Sequence, residues 1–87
     1  MKIQINGNEI TVNGNSVMLS LSHVIILKEL NRKSPRVVRI ENLMVVAGID
    51  RKHTLRQQIS TLRKALSVFS GLDIVTHPKT GYALKIK

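Results

Sequence analysis

The chain has 87 residues, no cysteine, and 14 lysines and arginines against five acids, for a net charge of +9. That length fits one domain, and the missing cysteine excludes disulfides, zinc–thiolate sites and thiol nucleophiles. A hydrophobic share of 43% argues against disorder, while the charge favours a polyanionic partner, nucleic acid ahead of an anionic membrane surface.

The N-terminal stretch "KIQINGNEITVNGNSVML" alternates apolar and polar residues, with Ile3, Ile5, Ile10, Val12, Val17 and Leu19 on one side. Asn6-Gly7 and Asn13-Gly14 interrupt it, and Asn-Gly favours two-residue hairpin turns. A three-stranded antiparallel meander over residues 1–19 is predicted, and this alternation is not that of a signal peptide.

"SLSHVIILKEL" follows. Its β-branched run Val24-Ile25-Ile26 competes for strand, but Leu27 to Leu30 decides for helix, with Val24, Ile26, Leu27 and Leu30 inward. Ser20 or Ser22 can cap its start, and Pro35 ends it. "RIENLMVVAG" predicts a short second helix with Ile40, Leu43, Met44 and Ala47 inward and Gly48 as its C-terminal cap. The connection onward, "GIDRKH", is short.

The third helix carries the clearest pattern. Leu55, Ile59, Leu62, Leu66 and Phe69 recur at four-three-four-three spacing, a single apolar stripe. Its start is open between Asp50 and Thr54, the latter with Gln57 as a capping box. Residues 20–71 thus hold three helices. "LDIVTHPKTGYALKIK", residues 72–87, reads as a hairpin around "HPKTG".

The polar side of "TLRQQISTLRKALSVF" suggests what the chain meets. At 100° per residue, Gln57, Ser60, Thr61 and Lys64 lie opposite the stripe, with Arg56 and Arg63 at one edge. Arginine and glutamine make bidentate contacts with guanine and adenine edges, and serine, threonine and lysine suit phosphates. A face selected for solubility mixes signs. Here no acid occurs between Asp50 and Asp73, whereas Arg51, Lys52, Arg56, Arg63 and Lys64 all fall inside. One Phe, one Tyr and no Trp leave no platform for stacking single-stranded bases, and Phe69 and Tyr82 read as core. Duplex DNA is the partner expected, bound by an α+β winged helix-turn-helix: N-terminal antiparallel sheet, three helices, C-terminal hairpin wing.

The residues also resemble a known family. "LSLSHVIILKELNRKSPRVVRIENL" looks like the start of an OmpR/PhoB-type effector domain, with its leucine-threonine opening of helix one, Leu-Leu-x-x-Leu core and Pro-x-Val-Val segment. "HTLRQQISTLRKAL" resembles its recognition helix at Ile59, Leu62, Arg63, Lys64 and Leu66. "IVTHPKTGYAL" resembles its wing at Ile74, Thr76, Gly81 and Tyr82. The resemblance implies a cytoplasmic, nucleoid-associated bacterial transcription regulator, with helix three in the major groove and the wing at the adjacent minor groove. It implies DNA-facing residues Thr54, Gln57, Gln58, Ser60, Thr61, Arg63 and Lys64 on the helix, although the helical wheel turns Gln58 toward the core side. On the wing it implies Thr76, His77 and Lys79.

The departures are specific. His23 replaces a glutamate usual in helix one, and Arg39 a capping serine. Lys79 replaces the first glycine of the family's Gly-x-Gly-Tyr wing, and Pro78 a basic residue. The connection between helices two and three is short and lacks the acidic loop through which relatives touch RNA polymerase. The sequence shows no receiver domain or phosphoacceptor setting, so a regulator acting without a receiver is expected.

Other function classes find little support. Glu9, Glu29, Glu41, Asp50 and Asp73 are scattered, and no Ser-His-acid set or phosphate-cradling loop is visible. His23, His53 and His77 are far apart in sequence, without carboxylate company. No enzyme activity, metal or cofactor is expected. The alternative is a protein-interaction module that blocks or assists another regulator, or pairs with itself on tandem sites.

Overall fold

The computed structural model describes residues 2–86. Met1 and Lys87, the outermost residues of the expected N-terminal strands and wing, lie outside that range. The elements are β1 (Ile3–Asn6), β2 (Glu9–Val12), β3 (Asn15–Met18), α1 (Leu21–Lys33), β4 (Val38–Arg39), α2 (Ile40–Ala47), α3 (Lys52–Leu66), β5 (Leu72–His77) and β6 (Gly81–Ile86).

The first sheet is the expected meander, ordered β1-β2-β3. Val12 pairs with Asn15 around Asn13-Gly14, both at positive φ, the signature of a type I′ turn. The first turn is displaced by one residue from the sequence expectation. Asn6 pairs with Glu9, so Gly7-Asn8 is its centre, and only Gly7 has positive φ. That is the II′ pattern, which places glycine first.

All three helices form where the periodicity puts them. In α1, Val24, Ile26, Leu27 and Leu30 are buried, and Ser20 occupies the N-cap. Its hydroxyl caps no backbone group and instead meets His23 Nδ1 at 2.6 Å. In α2 only Leu43 is fully buried, while Ile40, Met44 and Ala47 are partly covered. Gly48 ends the helix at φ +67° with its N–H on the Met44 and Val45 carbonyls. Helix α3 begins neither at Asp50 nor at Thr54. Arg51 is its N-cap, without a side-chain cap bond, so neither capping signature sets its start.

The second sheet has the order β4-β6-β5. The strand β4 has no counterpart among the sequence expectations. Val38 and Arg39 pair with Tyr82 and Gly81, which places β6 in the middle. Four successive residues, Gly81 to Leu84, are therefore buried, and the alternation expected for a two-stranded hairpin is absent from β6. A Cβ on Gly81 would lie 1.9 Å from the Val38 carbonyl oxygen, so this position admits only glycine without a shift of β4. One hydrophobic cluster runs from Ile10 and Val12 through the three helices to Ile74, Tyr82 and Leu84, with Phe69 inside it.

Candidate nucleic-acid interface

The stripe Leu55, Ile59, Leu62 and Leu66 is buried, which turns the opposite face of α3 outward. Lys52, Arg56, Gln57, Ser60, Thr61, Arg63 and Lys64 are exposed, together with Arg51 at the N-cap; Thr54 is half-buried. The helix has 15 residues, about 22 Å at 1.5 Å per residue. Its diameter of about 10–12 Å matches the roughly 12 Å width of a DNA major groove.

The outer face has two flanks. On one, Lys52 and Arg56 border a cleft whose other wall is the wing: Thr76, His77, Pro78 and Lys79. Cations from helix and hairpin thus face a shared channel, and His77 is half-buried with Nε2 lacking a partner. On the other flank, a shallow groove is lined by His23, Gln57, Gln58, Ser60 and Thr61. Gln58 is half-buried there, and both its Oε1 and His23 Nε2 lack partners. The wheel's inward assignment of Gln58 agrees with this placement. Burial lowers the His23 pKa below its ordinary value of 6.5.

Arg63 is exposed but occupied. Its Nε–H donates to the Ile74 carbonyl at 3.0 Å, and Nη2 donates to the Thr76 hydroxyl. Two residues expected to contact a ligand separately are therefore bonded to each other. At the wing tip, the Thr80 N–H returns to the His77 carbonyl at 3.0 Å, with Pro78 and Lys79 between. Lys79 has φ +64°, so the turn has the type II arrangement: proline first, then a left-handed residue, usually glycine.

Two further residues belong to this surface. Arg39, the N-cap of α2, lines a groove with Lys79 and Thr80. His53 is exposed in the first turn of α3, three and four residues before Arg56 and Gln57. The i, i+3 and i, i+4 relation puts His53 on their face, a signal present in the sequence. Arg39 had no such signal, because it reaches the wing only through the β4–β6 pairing. Among the described residues the only ion pair is Arg32–Glu29, on α1, so the α3 cations have no acid partner there.

No protein-family model matches the chain, and no curated protein matches it. Solved structures do. The C-terminal domain of the nisin resistance regulator NsrR, a lantibiotic response regulator, superposes with a TM-score of 0.85 at 22% identity, covering 98% of this chain and 93% of that one. The DNA-binding domain of Escherichia coli CadC gives 0.78 at 29% identity, covering 92% and 80%. The DNA-binding domain of the response regulator AdeR, solved in complex with an intercistronic region, gives 0.83 at 19% identity, covering 98% and 94%.

This chain has the fold of these domains, a winged helix-turn-helix.

Within that winged helix the departures noted in the sequence have local explanations. Arg39 offers α2 no side-chain cap, but the Ile40 N–H is met by the Thr80 carbonyl at 3.0 Å. The wing thus satisfies the N1 amide, one of the free N–H groups at the helix start, while a serine hydroxyl would meet N2 or N3. Lys79 has a left-handed backbone, the conformation that glycine adopts at least cost. The connection from α2 to α3 is Gly48 to Arg51 alone, with Asp50 its sole acid. His23 faces the α3 groove instead of making an ion pair.

Proposed function

We propose that this winged helix is a sequence-specific, duplex-DNA-binding transcriptional regulator, with α3 in the major groove and the wing at the adjacent minor groove. The observation that carries the reading is the acid-free outer face of α3, continuous with the Lys52–Arg56–Lys79 cleft against the wing. The AdeR domain, a fold relative, was solved on an intercistronic region. In this reading Gln57, Ser60, Thr61 and Lys64 meet base edges and adjoining phosphates, with Thr54 at the rim. Arg51, Lys52, Arg56, His77 and Lys79 hold backbone phosphates. Gln58 acts from the α1 side of the groove.

Electrostatic binding sets the test. Five cationic phosphate contacts, from Arg51, Lys52, Arg56, Lys64 and Lys79, release enough counterions for a slope of log affinity against log salt of roughly −4 to −5. A mobility-shift titration at several salt concentrations reads that slope, and a value near zero overturns the proposal. Selection from random duplexes then reads specificity.

The N-terminal sheet favours a second reading, in which the chain pairs with another regulator. Both β1 and β3 are edge strands, open to an added strand, and Met18 at the end of β3 and Leu21 at the start of α1 are 70% and 64% exposed. Binding to a regulator with no affinity for duplex DNA would select this reading.

A further inference from the structure

We infer that Arg63 is a positioning residue: it clamps the wing to α3 and fixes the angle between the two DNA-contacting elements. The inference rests on the DNA-binding reading and adds a role to it. Arg63 leaves the last turn of α3, and its Nε–H and Nη2–H donors meet β5 at two acceptors two residues apart, Ile74 O and Thr76 Oγ1. Strand β5 is the outer strand of its sheet, so this edge is not covered by another strand. Thr76 is the last residue but one of β5, placing the clamp at the base of the Pro78–Thr80 tip.

The geometry suits arginine alone. Two acceptors on one strand are bridged by a planar fork with fixed donor directions, which an ammonium cannot reproduce. The same fork lies beside β5 and not over the outer face of α3, where a base-reading side chain would extend. A protein that reaches two grooves at once gains from holding both contacts at the required separation before binding. A hairpin free to swing would need ordering on the DNA.

The test uses Arg63→Ala, Arg63→Lys, Thr76→Val and the Arg63→Ala/Thr76→Val pair. Affinity and salt slope are measured on a selected duplex and on an unrelated one. Thr76→Val removes the acceptor hydroxyl, keeps the charge and nearly keeps the shape. It is expected to weaken both duplexes by about three- to tenfold, the worth of one hydrogen bond, with the slope unchanged. Arg63→Lys fails to restore affinity, and the pair is no weaker than Arg63→Ala alone, because both changes break one unit. Additive losses overturn the clamp, as does an Arg63→Ala effect confined to one base pair with Thr76→Val silent. Amide exchange of Ile74 to Lys79 in the free protein gives a readout independent of DNA. Arg63→Ala and Thr76→Val should both speed it, and unchanged exchange in folded variants overturns the clamp. Loss of the DNA reading itself would show as a wild-type protein that binds neither duplex.

Discussion

Lys79 holds a backbone conformation that costs stability and a charge that DNA would use, and one substitution separates the two. At φ +64° a side chain with a Cβ costs about 1–2 kcal/mol relative to glycine. Glycine gives back about 0.4–1 kcal/mol through its freer unfolded chain. Lys79→Gly should therefore stabilise the domain by roughly 0.5–1 kcal/mol. For a domain of this size that is a rise in Tm of about 2–8 °C. The same change removes one cation from the cleft formed with Lys52 and Arg56, which should flatten the salt slope by about one. Lys79→Ala is the control: it loses the charge, keeps the Cβ, and should flatten the slope equally without raising Tm. Thermal unfolding followed by circular dichroism, paired with DNA titrations in salt, reads both effects. If glycine lowers Tm, or alanine raises it as much as glycine does, the type II turn is misassigned and the reasoning fails.

Gly81→Ala forces a methyl group into the Val38 carbonyl and should cost about 1–3 kcal/mol or more, seen as a lower urea midpoint; an unchanged midpoint would mean that β4 yields freely. Gln57→Ala should cost about 1–3 kcal/mol on a selected duplex and relax preference at one position, whereas equal losses on all sequences would make Gln57 a phosphate contact. His23 is harder to protonate folded than unfolded, so the unfolded chain takes the proton first. Its contribution is fully present above pH 6.5 and lost as pH falls through the lower folded value. Urea midpoints over this range should fall less steeply for His23→Gln than for wild type, and parallel curves refute the assignment. In purified transcription, the short Gly48–Arg51 connection predicts repression from a site overlapping the promoter and no stimulation from upstream; stimulation lost in Asp50→Ala would show that the connection recruits polymerase.

Elements with long periodicity were legible in the sequence. The α3 stripe and the α1 core positions follow from helical spacing, and the meander from alternation plus turn residues. Elements that depend on distant partners were not. Strand β4 is two residues long and exists because β6 lies beside it. The start of α3 was misplaced because its cap uses no side chain, and sequence capping rules recognise only those that do. The outward face of α3 could be drawn on a wheel, but a wheel gives direction and not reach. Arg63 sits at the edge where the wheel put it, and its long side chain turns to β5. The glycine missing at Lys79 was visible as a departure; the left-handed φ that gives it physical meaning was not.

The two sheets differ in when the chain can make them. The β2–β3 hairpin joins Glu9 to Met18, nine residues apart, and can close within microseconds of emerging from a ribosome. The β4–β6 pairing joins Val38 to Tyr82, 44 residues apart. With closure entropy growing as (3/2)RT ln n, the longer span costs about 1.4 kcal/mol more, close to tenfold in probability. Tyr82 is also synthesised 44 residues after Val38. During translation the local pairings of the meander and α1 are therefore available while Val38 waits for its neighbour and the Ile40 N–H for the Thr80 carbonyl. The start of α2 and the wing mature in one late event, and a nascent chain released before β6 lacks both.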